Sequence, residues 1–331
     1  MEANTGTGEM FMVAPYLSIV VPMREGVPRD WFDAFLKIQG EVELILVYPP
    51  GAQPDAPADP RLKQFISPFR GEIIQRLTGL LNASGTYVLT INCDEYLSPA
   101  ILQLARQYFQ RFPESWVLRL STKKADYGDE VALKAPWQPL PDMANMGVCS
   151  YREGTQSRHS QGDLLEIPIA PLNNTFDLAF LWRGRRDQRG SHTENFDKKV
   201  WKNTLVQAAL QEILQAMVLF GPVRYLPFWC LDRLLGLSLQ AKFFEAGKVI
   251  GHKMPKPEQL RSEDNPPEHK RQGRFYVFAE ILLLRRFPQY GYLWTLIGHQ
   301  IREIPVRAFN SQGRKLSQVL RDNPSTPPQK G

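Results

Sequence analysis

The stretch Arg76-Leu77-Thr78-Gly79-Leu80-Leu81-Asn82-Ala83-Ser84-Gly85-Thr86-Tyr87-Val88-Leu89-Thr90-Ile91-Asn92-Cys93-Asp94-Glu95-Tyr96-Leu97-Ser98-Pro99 decides the fold. Its first part closes a helix predicted over about Gly71 to Ala83, stopped by a glycine turn. Thr86 to Ile91 is an almost continuous run of strand-forming residues, as expected of a strand buried on both faces. Asp94 and Glu95 stand where that strand emerges, ahead of a helix predicted over Pro99 to Phe112. In an open α/β sheet, ligands bind at the carboxyl ends of the strands, so an acidic pair there is placed to meet a cation or a polar ligand. The same pair equally suits the cap of a helix beginning near Ser98.

Upstream, Leu17 to Pro22 (LSIVVP) and Val42 to Tyr48 (VELILVY) read as two further buried strands, with Trp31, Phe32, Phe35 and Leu36 at helical spacing between them. Pro49 to Pro60 has the composition of a surface loop, and Leu62 to Ile66 reads as a short third strand. Such alternation predicts a mostly parallel sheet covered by helices. After a strand at Trp116 to Leu120 the regularity fades, and Tyr127 to Asp177 mixes short alternating runs with turn residues. Helices are predicted from about Lys198 to Phe220 and from Leu231 to Ala246, then a short strand at Lys248 to Gly251. Lys256 to Arg274 is charged and proline-bearing, as a mobile loop is, and Phe275 to Arg286 and Tyr292 to Ile304 read as amphipathic helices. The expected organisation is one half-domain at 1–125, a second half of the same domain at 126–255, a helical extension at 256–321 and a disordered tail at 322–331.

Composition narrows the function classes. With 331 residues, 43% of them hydrophobic, the chain can bury a large core. Forty Lys and Arg against 34 Asp and Glu give a net charge of +6, spread too thinly for a nucleic-acid binder. Cys93, Cys149 and Cys230 are far apart and the five histidines lack ligand spacing, which argues against a disulfide framework and a zinc site. Without a signal-like start or a long apolar run, a cytoplasmic location is expected.

The quoted stretch resembles the family 2 glycosyltransferase pattern, in which Arg76, Gly79, Ala83, Gly85 and Tyr87 fall at the family's spacing ahead of an apolar strand and an acidic exit; LSIVVP is similar to the family's first strand. The likeness covers about the first third of the chain. It implies a GT-A-like, Rossmann-like fold, a nucleotide-sugar donor and Mg2+ or Mn2+ at the family's D-x-D signature, with inverting transfer to a hydroxyl acceptor helped by a carboxylate base. Asp94 is then the metal ligand or diphosphate-site acid, with Tyr48, Arg76, Asn92 and Glu95 as donor-site neighbours. Two departures stand out. Asn92 replaces the first Asp of the signature, and the second strand ends Val47-Tyr48-Pro49-Pro50-Gly51 without the acids that hold a nucleoside. A scaffold that keeps the fold and binds or regulates without turnover is therefore the alternative.

For the base, the family's placement at the start of a helix points to Asp232, which equally fits a solvent-facing acid in a first helical turn. Asp142, after Trp137-Gln138-Pro139-Leu140-Pro141, and Glu194 are further candidates. Arg183, Arg185, Arg186 and Arg189 form a basic run that suits a diphosphate or an ordinary solvated loop. The two C-terminal amphipathic segments carry Arg285, Arg286 and Arg302, which raises a peripheral contact with an anionic membrane. If one apolar face stays open, the protein floats with anionic liposomes at low salt and is released by high salt; absence of flotation at low salt removes the contact.

Overall fold

The computed structural model describes residues 15–150, 156–176, 178, 192–219, 228–264, 277–303 and 305. The arginine run at 183–189 and the tail at 322–331 lie outside them. The described residues fall into two compact units, one within Met1–Ala170 and Ser191–Gln272, the other within Pro171–Gly190 and Gly273–Gly331.

In the first unit, β1 (Leu17–Pro22), α1 (Arg29–Phe35), β2 (Val42–Tyr48), β3 (Leu62–Ile66), α2 (Glu72–Leu81) and β4 (Tyr87–Thr90) follow one another as the alternation predicts. β1 pairs in parallel with β2 and β4, and β2 with β3. Every residue of β1, β2 and β4 is buried. Ile19, Leu44 and Leu89 share a core cluster with Trp31 and Phe35 of α1 and with Leu104 and Tyr108 of α3 (Ile101–Arg111). On the other face α2 lies so close that a Cβ on Gly79 would stand 2.3 Å from Val20 and 3.1 Å from Val47. Helices thus cover both faces, and the mostly parallel α/β arrangement expected from the sequence is present.

The rest of the unit adds β5 (Glu95–Leu97), β6 (Val117–Arg119), β7 (Thr122–Ala125), α4 (Glu130–Lys134), β8 (Val148–Cys149), α5 (Gln156–Ser160), β9 (Leu164–Pro168), β10 (Lys199–Lys202), α6 (Asn203–Leu219), α7 (Phe228–Lys242), β11 (Val249–Lys253) and β12 (Leu260–Glu263). The main sheet has nine strands in the order β3-β2-β1-β4-β10-β6-β11-β9-β8; β5, β12 and β7 form a second, smaller sheet. Each strand of that small sheet continues a main-sheet strand past its carboxyl end: β5 follows β4, β7 follows β6 and β12 follows β11.

Two expectations are corrected here. Lys199–Lys202 is a strand rather than the start of a helix, and helix α6 begins at Asn203. Its four residues run antiparallel between β4 and β6, with Val200 and Trp201 fully buried on opposite faces. Central pairing on both edges outweighs the helical preference of the flanking lysines. Within the expected mobile loop, Leu260–Glu263 is also a strand. Its polar sequence hides a buried role, because Arg261 donates to the carbonyls of Leu133, Ala135 and Pro136 and lies 4.0 Å over the ring of Trp137.

The second unit contains α8 (Val277–Arg286) and a further helix over 291–303. Leu282, Leu283, Tyr292, Leu293 and Leu296 are buried, while Ile281, Trp294 and Ile301 are exposed. No helix among the described residues is long and apolar enough to cross a membrane.

The turn before β4 is pinned by a buried carboxylate. Glu43 accepts from Ser18 Oγ at 2.5 Å, from the Ser84 amide at 2.9 Å and from Lys63. Burial alone would raise its pKa; Lys63, Ser18 and Ser84 overcome that and hold it below the usual value. Gly85 completes the turn, since a Cβ there would meet the Ser18 backbone nitrogen at 2.7 Å. Backbone cannot yield as a flexible side chain can, so Gly85→Ala is expected to cost about 1–3 kcal/mol. Urea unfolding reads this as a lower midpoint at unchanged slope; an unchanged midpoint refutes the close-approach account.

Candidate functional site

Because β1, β2 and β4 are parallel, their carboxyl ends open on one edge, and the loops that follow them build a polar cleft there. The cleft, of about 360 Å³, is lined by Arg24, Glu25 and Gly26 after β1 and by Tyr48, Gly51, Gln53 and Asp55 at the end of β2. Gly26 and Gly51 have φ values of 74° and 84°, which lets both loops turn tightly at its rim. The ring of Tyr48 is only 2% exposed and packs into the core; its hydroxyl lies 3.4 Å from Asp55 Oδ1. Burial and the Asp55 charge push this hydroxyl's pKa up to about 12, so it stays protonated as a donor. Tyr48 thus presents a hydroxyl to the cleft, with its ring face turned away into the protein.

The acidic exit of β4 splits in two directions. Asp94 faces solvent and lies 3.8 Å from Arg24, which links the exit of β4 to the cleft. Glu95 turns inward, where it is 2% exposed, accepts from the Asn92 amide at 3.0 Å and pairs with Lys198 at 2.5 Å. Burial raises the Glu95 pKa, and the Asp197 charge raises it further. The side-chain carbonyl of Asn92 accepts from Arg76. Asn92 and Glu95 are therefore committed to the interior, and only Asp94 offers an open carboxylate.

Beneath that exit lies a charge cluster built on Arg76 and on Asp197, which is not among the candidates drawn from the sequence. Arg76, 4% exposed, pairs with Asp197 at 3.0 Å and with Glu72 at 3.2 Å besides holding Asn92. Asp197 also accepts from Thr90 Oγ1 at 2.8 Å, and its amide donates to Asp232 Oδ1 at 2.6 Å. Asp232, on α7, keeps partial exposure but is surrounded by protein; burial and then the Asp197 charge raise its pKa. Lys198, between Asp197 and β10, has φ of 60°, an uncommon conformation for a side-chain-bearing residue. Lys199 is buried, donates to the Asp197 carbonyl at 3.0 Å, and has its pKa lowered to about 7 by burial and by Arg119.

The structure thus brings Arg76, Asn92, Glu95 and Asp232 together, with Asp94 at the surface just outside and Tyr48 in the neighbouring cleft. Asp142 is engaged in its own turn, accepting from the Ala144 amide at 3.1 Å and Asn145 Nδ2 at 2.6 Å. Glu194 is buried against Arg233. Among the described residues no group of three or more His, Cys, Asp or Glu gathers to hold a metal ion. The signal that could have exposed Asp197 is the short buried pair Val200-Trp201 that follows it, because a central strand there places Asp197 at the ligand edge.

No protein-family model and no curated protein matches the chain. Among solved structures it is similar to S. aureus TarS 1-349 in complex with UDP-GlcNAc, at 12% identity over 81% of this chain and 66% of that one, with a TM-score of 0.45. For the same segment with UDP the values are 12%, 82%, 70% and 0.43. For the longer TarS structure they are 11%, 82%, 42% and 0.40, so the chain spans less than half of that molecule.

Lys199 gives the cluster a pH dependence of defined sign. Its folded pKa of about 7 lies below its ordinary value of 10.5, so between those limits the unfolded chain binds more protons and stability rises with pH. Removing the amine with Lys199→Met should therefore raise the thermal midpoint relative to wild type most at pH 6, with the gain shrinking towards pH 10. A gain of equal size at both pH values would contradict the buried-ammonium account.

Proposed function

We propose that the protein is a glycosyltransferase that moves a sugar, with inversion, from a nucleotide-sugar donor to a hydroxyl acceptor. The observation that carries this reading is the alignment of three features along one sheet edge: the polar cleft at the ends of β1 and β2, the Arg24–Asp94 pair, and the carboxylates of Asp197 and Asp232. The cleft takes the nucleoside, with the Tyr48 hydroxyl, Gln53 and Asp55 as its polar partners. Arg24, beside the cleft, faces the diphosphate and offsets its charge.

Asp232 is the base in this reading. Its raised pKa makes the carboxylate a better proton acceptor than a solvated aspartate, and the Asp197 amide fixes its orientation. As it takes the acceptor's hydroxyl proton, the acceptor oxygen bonds to the anomeric carbon and the bond from that carbon to the diphosphate breaks. The nucleoside diphosphate leaves with the electron pair. Mg2+ or Mn2+ carried with the donor would supply further charge neutralisation. Asp94 would be its one protein carboxylate, which suits a cation that draws its other ligands from phosphates and water.

A second reading, a scaffold that binds without turnover, draws on the engagement of Asn92 by Arg76, which removes one expected ligand from the surface. Calorimetry and turnover assays against uridine and guanosine diphosphate sugars with Mn2+ separate the two. The transferase reading expects turnover of at least one donor, a loss of about 10²–10³-fold in kcat/KM for Asp94→Asn, and a fall mainly in kcat for Asp232→Asn. Binding heat without turnover selects the scaffold; no heat for any donor removes both.

A further inference from the structure

Past the cleft, three neighbouring strands each carry a basic residue at this edge in one register: the first residue of β10 and the last of β6 and β11. Lys199 of β10 stands opposite Arg119 of β6, and Arg119 stands opposite Lys253 of β11. Directly opposed residues of adjacent strands project from the same face with Cβ atoms about 5 Å apart, so the three cations form one row. Like charges in this arrangement repel, and the sheet supplies little to offset them. Among the described residues neither Arg119 nor Lys253 makes a side-chain hydrogen bond or ion pair, and Lys199 donates to a carbonyl oxygen. The residue opposite Lys253 on β9 is Leu165, so no acid closes the row.

The acids nearest the row, Asp197 and Asp232, lie at the Lys199 end and are engaged with Arg76, Thr90 and the Asp197 amide. At the other end His159 of α5 bonds the Asp163 carbonyl through Nδ1. Burial lowers the pKa of Arg119 and of Lys253, and Arg119 lowers Lys253 further. Arg119 and Lys253 nevertheless keep partial solvent exposure, so a ligand can reach them.

We propose that Lys199, Arg119 and Lys253 form an oxyanion site that receives a phosphate or carboxylate group carried by the acceptor. An oxyanion bridging the row would cancel the mutual repulsion and give Arg119 the planar two-toothed partner its guanidinium lacks. The group belongs to the acceptor rather than the donor because of distance across the sheet. β6 and β11 lie three and four strands from β1 in the sheet order, which at the usual strand spacing is about 14 and 19 Å from the cleft. That the anion arrives on an acceptor rests on the transferase reading; that an oxyanion binds the row does not.

Inorganic phosphate is the probe, titrated against the full chain at constant ionic strength with chloride as the balancing anion. Phosphate is expected to raise the thermal midpoint of wild type and of Arg24→Gln alike, and to lose most of that increment in Arg119→Gln/Lys253→Gln. In chloride alone the double variant should melt no lower than wild type, since its substitutions relieve repulsion. If the double variant does not fold, Lys253→Gln alone, read by phosphorus NMR titration, should bind phosphate several-fold more weakly. Phosphate affinity unchanged by saturating nucleoside diphosphate supports an acceptor site, and competition between them overturns that assignment. An increment that survives the double substitution, or that vanishes in Arg24→Gln, overturns the site itself. Failure of every nucleotide sugar to bind would leave the phosphate result standing and remove only the acceptor's role.

Discussion

A single buried guanidinium holds the carboxyl edge of the main sheet in place. Arg76 reaches from α2 under the end of β4 and ties together Glu72 on its own helix, Asn92 on the exit loop and Asp197 on the segment entering β10. Such a cation is costly to desolvate, and it is tolerated because its donors meet carboxylates and an amide carbonyl. The dependence is mutual: without Arg76 the Asp197 carboxylate would sit buried beside Asp232 and Glu95, whose protonation it already favours. Glu95 is tied to the same centre through Asn92, whose amide it accepts, and through Lys198, which follows Asp197.

Around it the chemistry divides by depth. Charges that fix architecture lie inside, in the Arg76 cluster and in the Glu43 knot beneath the glycine turn. Those that keep contact with solvent lie at the rim: Arg24 and Asp94 beside the cleft, Arg119 and Lys253 further along the same edge. Asp232 stands between, partly open yet surrounded, which is where a group that must both hold and release a proton is useful.

Much of the fold was legible because the first strands are nearly all apolar and the helices between them keep their spacing. Gly79 and Gly85 were readable as pattern, and the structure supplies the reason, two close approaches to β1. Asp94 and Glu95 could not be told apart in sequence, since adjacent residues at a strand exit point to different sides and only the buried partners decide which side is inside. Asp197 was lost in a polar run, because a four-residue central strand carries too little periodicity to announce itself beside a long helix. The basic row was out of reach: Arg119, Lys199 and Lys253 are separated by long stretches of chain and become neighbours only through strand register. Arg261 shows the same limit, as its charge suggested a solvated loop while its hydrogen bonds bury it.

The position of β10 also governs the order in which the molecule can be assembled during synthesis. Strands β1 to β4 are local and can pair as soon as they emerge, but β4 and β6 meet only through a strand that begins eighty residues beyond the end of β6. Until that strand arrives, both flanking strands present open, largely apolar edges of the kind that recruit other chains. At ordinary elongation rates of about 5–20 residues per second this exposure lasts for seconds. A chain stopped short of Lys199 would keep it permanently, which makes this late, four-residue insert a checkpoint for solubility as well as the floor of the site.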